Sequence, residues 1–271
     1  MIVFNANCVV VKVGSSTLTY QTGMLNLRRL EELVKCIADL RNSGKRIVLV
    51  SSGAVAAGFA KMGFPTIKIG TEEKQAAAAV GQCELMSMYS SLFADYGHKV
   101  GQVLITKDVV DCDTRRKNAE NTFKVLLDMG CIPIVNENDT ISSEGINFGG
   151  NDLLAAIVAK LCHAELLVNI SDIDGLFNED PRKNPDAKMI EHVKEITPEI
   201  DAIAGGAGTG RGTGGMHAKL EAAKIAGDAG IPMVIVNGAN IKVLYDIFEG
   251  GCVGTVFEPT CCNYKPNFDI F

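Results

Sequence analysis

Six short apolar runs, rich in β-branched residues, recur along the chain: CVVVKV at 8–13, RIVLV at 46–50, GQVLI at 101–105, CIPIV at 131–135, ELLVNI at 165–170 and PMVIV at 232–236. They are too short for helices, and they are apolar on both faces, as strands buried inside a sheet are. Longer segments lie between them: LRRLEELVKCIADLRNSG, EEKQAAAAVGQCELMSMYSSLFADYG, TRRKNAENTFKVLLDMG, NDLLAAIVAKLCHA and HAKLEAAKIAGDAG. Several of these carry apolar residues at i, i+3 and i+4 and stop at glycine, as helices do. Strand and helix in repeated succession predict an α/β fold with a largely parallel sheet. The polar segment NEDPRKNPDAKMIEHVKEITPEI at 178–200 is read as an excursion between two sheet elements and as the start of a second lobe. The alanines around Gln75–Tyr89 are read first as close core packing and second as a subunit interface.

Composition narrows the picture. A chain of 271 residues fits one large domain or two small ones. A net charge of −6 speaks against a general nucleic-acid or anionic-membrane binder. No apolar run is long enough to span a bilayer, and MIVFNANCVV has neither the basic start nor the cleavage site of a secretory leader. The nine cysteines are odd in number and none is spaced CxxC. Cys8, Cys36, Cys131 and Cys162 fall in apolar runs, where a free cysteine acts as a small hydrophobe. The expectation is a reducing, cytoplasmic setting. Cys261 and Cys262 are adjacent, a weak metal signal, and no side-chain metal site is expected.

In open α/β sheets ligands sit beyond the carboxyl ends of the strands. The segments there are GSST (14–17), SSGAVAAG (51–58), NENDTIS (136–142) and SDIDG (171–175). Each alone is an ordinary loop; together on one sheet edge they mark a site. Lys12 is the odd residue of its strand, and a buried lysine is costly unless an anion meets it. The stretch GTGRGTGGMHAKLEAAKIA (208–226) puts five glycines into eight residues, then a helix with Lys219 in its first turn. Gly210, Gly212 and Gly215 match GxGxxG, but no strand precedes them and no acid follows, so a dinucleotide fingerprint is not met. The Walker A pattern is absent too. The unpaired N–H groups of that helix start and Lys219 would together suit a phosphate. Asn151 and Asp152 open another helix, and a plain cap is the competing reading there.

Taken together, VVKVGSSTLT, VLVSSGAVAAG, QAAAAVGQ, PIVNENDTIS, FGGNDLLAA, SDIDGLFNEDPRKNP and GTGGMHAKLEAA resemble the amino acid kinase family, and within it the glutamate 5-kinases, in consistent order over residues 5 to 258. The resemblance implies a three-layer αβα sandwich with a central, mainly parallel sheet. It implies one domain over 1–271, with an acceptor side in about 1–165 and a nucleotide side in about 166–260, and no room for the C-terminal PUA-type module of many bacterial members. It implies ATP, Mg²⁺ and L-glutamate as ligands and L-glutamyl 5-phosphate as product, the first step of proline synthesis. Lys12 and Lys219 then resemble the lysines that stabilise the transferring phosphoryl group, and Asp152 the aspartate that orients them. Ser52, Gly53, Asn136, Asp139 and Asn151 match the glutamate side. Ser171, Asp172, Thr213, Gly214, Gly215, Met216, His217 and Ala218 match the nucleotide side, with Lys12 and Lys219. The resemblance further implies a homo-oligomer (dimer or tetramer), proline as a feedback inhibitor and a transient contact with glutamyl phosphate reductase. One departure stands out: Gly150 takes the place of an aspartate common in the family. Another acceptor such as acetylglutamate, a nucleotide sensor without turnover and, more distantly, a dinucleotide oxidoreductase are the competing readings.

Overall fold

The computed structural model describes residues 2–63, 70–142, 150–181, 183–204, 215–251, 254–260 and 268–270. The chain opens with β1 (Ile2–Phe4), β2 (Cys8–Val13) and the single turn α1 (Ser15–Leu18). Helix α2 (Leu27–Asn42) starts where the Asn26 side chain accepts the Arg29 N–H at 3.2 Å, satisfying one of the donors a helix start leaves free. β3 (Arg46–Val50) leads into α3 (Ala54–Met62) and the long α4 (Thr71–Ala94). Then come β4 (Val100–Ile105), α5 (Asp113–Asp128), β5 (Ile132–Glu137), α6 (Asn151–Leu161) and β6 (Leu166–Ser171). The excursion carries β7 (Leu176–Phe177), β8 (Met189–Ile190), β9 (His192–Val193) and α7 (Pro198–Ala204). The chain continues with α8 (Met216–Asp228), β10 (Met233–Asn237), α9 (Val243–Glu249), β11 (Thr255–Phe257) and β12 (Phe268–Ile270), the last pairing with β1.

Eight strands form the central sheet in the order β4-β5-β3-β2-β6-β10-β11-β9. Pairing is parallel from β4 through β10; β11 runs antiparallel to β10, and β9 parallel to β11. The expected mainly parallel sheet is therefore present. Because successive side chains alternate across a strand, β2 supplies two cores. Val9, Val11 and Val13 pack with residues of α2, α4 and α9 on one face, while Cys8 and Val10 pack with α5, α6 and α8 on the other. Lys12 belongs by parity to this second face.

Two expectations need correction. The run at 101–105 is not covered on both faces: β4 is an edge strand bonded only to β5, and its Leu104 is 38% exposed. The segment after β3 is more than a loop, since Ala54 onward forms α3, and an alanine-rich run has a high intrinsic helix tendency. The 178–200 excursion returns to the central sheet, where β9 lies beside β11. Cys8, Cys36 and Cys162 are buried free thiols, and burial pushes each of them up from the ordinary cysteine range. Cys261 and Cys262 lie outside the described residues. Among those residues no helix is long and apolar enough to cross a membrane.

Of the alanine-rich stretch of α4, Ala77 and Ala78 are buried where α4 packs on α3, whereas Ala76 and Ala79 are exposed. A Cβ added at Gly58 would lie 1.8 Å from the Ala77 carbonyl oxygen, and one added at Gly81 would lie 1.7 Å from that of Ala54. Backbone meets backbone here, so only glycine fits at both positions. Gly81→Ala should therefore lower stability by about 3 kcal/mol, the upper part of the overpacking range, because no side chain can move aside. A urea denaturation midpoint checks this; an unchanged midpoint would mean that the two helices can separate freely.

Candidate active site

The sheet brings two polar residues into register on the face of α6 and α8. Lys12 on β2 and Asn169 on β6 are paired positions of adjacent parallel strands. From above, α6 delivers Asp152 and α8 delivers Lys219. Lys12 Nζ lies 2.6 Å from Asp152 Oδ1, and Lys219 Nζ lies 3.0 Å from Asp152 Oδ2. Asn169 Nδ2 donates to Asp152 Oδ1 at 2.8 Å. All three charged groups are almost fully buried: Asp152 is 1% exposed, Lys12 5% and Lys219 4%. Lys12 is therefore not a strand-end lysine leaning into solvent.

The electrostatics follow from this packing. Burial pushes the Lys12 ammonium below the ordinary lysine range; Asp152 opposes that, while the like charge of Lys219 adds to it. Burial alone would raise the Asp152 carboxyl, but the charges of Lys12 and Lys219 and their hydrogen bonds outweigh it and hold it below the usual range. With all three ionised the cluster carries a net +1, enclosed in a medium where charge is felt strongly.

Asn151, the preceding residue, looks the other way along the sheet edge. Its Nδ2 lies 2.8 Å from the Ser51 carbonyl oxygen, 2.8 Å from Ser52 Oγ and 3.1 Å from Asn136 Oδ1. Asn136 in turn donates to Gln82 Oε1 at 2.9 Å, and the Ser51 and Tyr89 hydroxyls share a hydrogen bond at 2.8 Å. The capping reading of Asn151 thus gives way: the N-cap is Gly150, and no side chain caps the helix there. Gly150 has φ +89° and ψ 174°, a region open essentially to glycine alone. An aspartate, as the family often has at this point, would need a different backbone.

Ser52, Asn136 and Asn151 are therefore assembled into one network beyond β3 and β5, and Gly53 begins α3 beside them. Asp139 joins none of these hydrogen bonds; it is half-buried, and burial raises its carboxyl, as it does that of Glu137. On the other side of the Lys12–Asp152–Lys219 cluster lies a cleft of 360 Å³, lined by Asp172, Gly175, Phe177, Pro181, Met216 and Lys219 among others. Gly215, also at its wall, is the N-cap of α8 and leaves the helix start without a side-chain cap. Ser171 donates to Asp172 Oδ1 at 3.2 Å at the end of β6. Ala218 is buried, and His217 is exposed near Asp201 and Glu221. Thr213 and Gly214 lie outside the described residues. Sequence reasoning did not single out Asn169 or Gln82. Asn169 had a visible signal, a polar residue in an apolar strand like Lys12; Gln82 had none.

An αβα sandwich whose strand ends hold two buried lysines on one aspartate suits a ligand rich in negative charge, and the sequence comparisons give the class of protein, a kinase. The chain belongs to the amino acid kinase family, whose profile, described as the amino acid kinase family, matches residues 7–237. It is similar to the glutamate 5-kinase of Clostridium perfringens (strain 13 / Type A), 52% identical over 253 residues that cover 92% of this chain and 94% of that protein. The glutamate 5-kinase of Clostridium tetani (strain Massachusetts / E88) is 53% identical over 250 residues, again 92% and 94%. Among solved structures, UMP kinase from Bacillus anthracis superposes with a TM-score of 0.63 over 94% of this chain and 97% of its own, at 19% identity. That last likeness concerns the fold.

Removing the shared carboxylate should be severe. Asp152→Asn removes the carboxylate that both buried ammonium groups contact, and we expect a loss of about 3–5 kcal/mol in urea unfolding at pH 7. Adding Lys12→Met should recover part of it. The sign with pH is fixed by the depressed carboxyl: its contribution is complete above its unfolded value of about 3.9 and is lost as pH falls through the lower folded value. Asp152→Asn should flatten that acid limb; an equally steep limb in the variant would assign it to other groups.

Proposed function

We propose that this chain transfers the γ-phosphoryl group of ATP to the side-chain carboxylate of L-glutamate, giving L-glutamyl 5-phosphate and ADP, the first step of proline synthesis. The observation that carries the proposal is the junction at α6. Consecutive residues there reach two compartments: Asn151 the serine- and asparagine-lined acceptor side, Asp152 the lysine pair at the mouth of the cleft. The similarity to glutamate 5-kinases over 92% of the chain supports glutamate as the acceptor.

The chemistry asks for little beyond this. A glutamate side chain has an unperturbed pKa of about 4.3, so the nucleophile is already ionised at neutral pH and needs no general base. What remains is to bring two anions into line and to offset charge on the transferring group. Lys12 and Lys219 supply positive charge in a buried site, and Asp152 holds their separation. The uncapped start of α8 offers N–H groups to the phosphates, with the adenosine in the cleft beside Phe177, Pro181 and Met216. Mg²⁺ enters with ATP as part of the substrate. An arriving phosphate would raise Lys12 again, since it brings the charge that burial denies. Ser52, Asn136 and Asn151 hold the acceptor, and Asp139 faces its α-ammonium, which would reverse the upward shift burial gives that carboxyl. We also propose proline as a competitor at this acceptor side, a homo-oligomeric assembly and hand-over of the product to a reductase.

The decisive assay is ADP release with Mg-ATP and hydroxylamine, run on L-glutamate, N-acetylglutamate and no acceptor. Hydroxamate from glutamate alone is expected; hydroxamate from the acetylated acid instead would reassign the acceptor, and none from either would leave a nucleotide-binding protein. Lys219→Ala should lower kcat by about 10²- to 10³-fold, as loss of one preorganised donor does elsewhere. Millimolar proline should lower the glutamate rate; an unaffected rate removes it as an inhibitor.

A further inference from the structure

We infer that Asn169 is a positioning residue for this reaction: it fixes the orientation of the Asp152 carboxylate and, through it, the separation of the two lysines. The inference rests on the phosphoryl-transfer reading above. Every residue of β6 is buried, and Asn169 itself is 1% exposed. A valine or leucine at this position would fill the same space with no polar group to satisfy. Asn169 uses only half of its amide. Nδ2 donates to Asp152 Oδ1 at 2.8 Å, whereas Oδ1 is buried with no hydrogen-bond donor among the described residues. A wasted buried acceptor is costly, and groups of this kind in native proteins call for an explanation. The amide cannot turn over to relieve it, because its oxygen would then face an ionised carboxylate oxygen at the same distance.

The geometry shows what the side chain contributes. Asp152 Oδ1 accepts from both Lys12 and Asn169, while Oδ2 accepts from Lys219. Three donors on two oxygens set the plane of the carboxylate. Two of them, Lys12 and Asn169, stand on neighbouring strands in register and so move with the sheet. With Asn169 gone, Asp152 is held only by the two flexible lysine side chains, which are also the groups that must meet the phosphoryl oxygens. Rigid strand geometry is then no longer passed to them. Local stability has been exchanged for placement, as functional sites often show.

The test is Asn169→Leu, with Asn169→Val as a second, strand-favouring variant. Both remove the donor and the orphan acceptor together. Thermal unfolding at pH 7 should show a melting temperature equal to or above that of the parent chain. In the hydroxamate assay kcat should fall about tenfold or more, the size expected for one hydrogen bond to a charged group. KM for ATP and for glutamate should stay within about twofold. A kcat within twofold of the parent overturns the inference. So does a lower melting temperature in both variants, which makes Asn169 a structural residue. The melting arm needs no turnover, so it judges Asn169 even if the parent chain forms no hydroxamate, an outcome that instead refutes the phosphoryl-transfer reading.

Discussion

Two ammonium groups share one buried carboxylate beside the cleft of this protein. A buried lysine is tolerated only beside a counter-charge, and here two buried lysines draw on the same aspartate. The rest of the structure is arranged to make that possible. β2 and β6 bring Lys12 and Asn169 alongside each other; α6 lowers Asp152 between them; α8 closes the cluster with Lys219. The apolar packing of the face shared by α5, α6 and α8 keeps solvent out.

Such a cluster is a poor way to stabilise a fold. Replacing a buried charged triad by apolar residues of similar volume is often neutral or favourable. The orphan oxygen of Asn169 and the uncapped starts of α6 and α8 point the same way. Stability therefore has to come from elsewhere, and the fold supplies it in two apolar layers and in the glycine-to-backbone contact of α3 with α4. One of those layers, shared by α5, α6 and α8, also encloses the charge cluster, so the packing that stabilises the fold is what buries the charges.

Much of this was legible in the chain. Strand and helix alternation gave the sheet and its layers because apolar residues on both faces of a short run leave few other options. Lys12 announced itself by being charged inside CVVVKV. Its first partner, however, is the protein's own Asp152, which lies 140 positions away in the chain, and no local pattern reports a contact of that span. Asn151 and Asp152 fitted a plain helix start equally well; only the fold shows that Gly150 takes the cap and frees both side chains. The edge position of β4 was hidden because an edge strand and a central one can share the same apolar run. Gln82 reaches Asn136 from a helix face that looks like any other polar face.

The placement of Asn151 and Asp152 has one more consequence. They are neighbours on one helical turn, about 100° apart around the axis, so their side chains diverge. One helix start therefore sends one side chain to the serine and asparagine network and the next to the lysine pair. A movement of α6 that tightened the Asn151 contacts to Ser51 and Ser52 would also move the carboxylate that spaces the lysines. A one-residue step along α6 therefore ties the two networks together, and the left-handed, extended backbone of Gly150 is what lets that helix begin there.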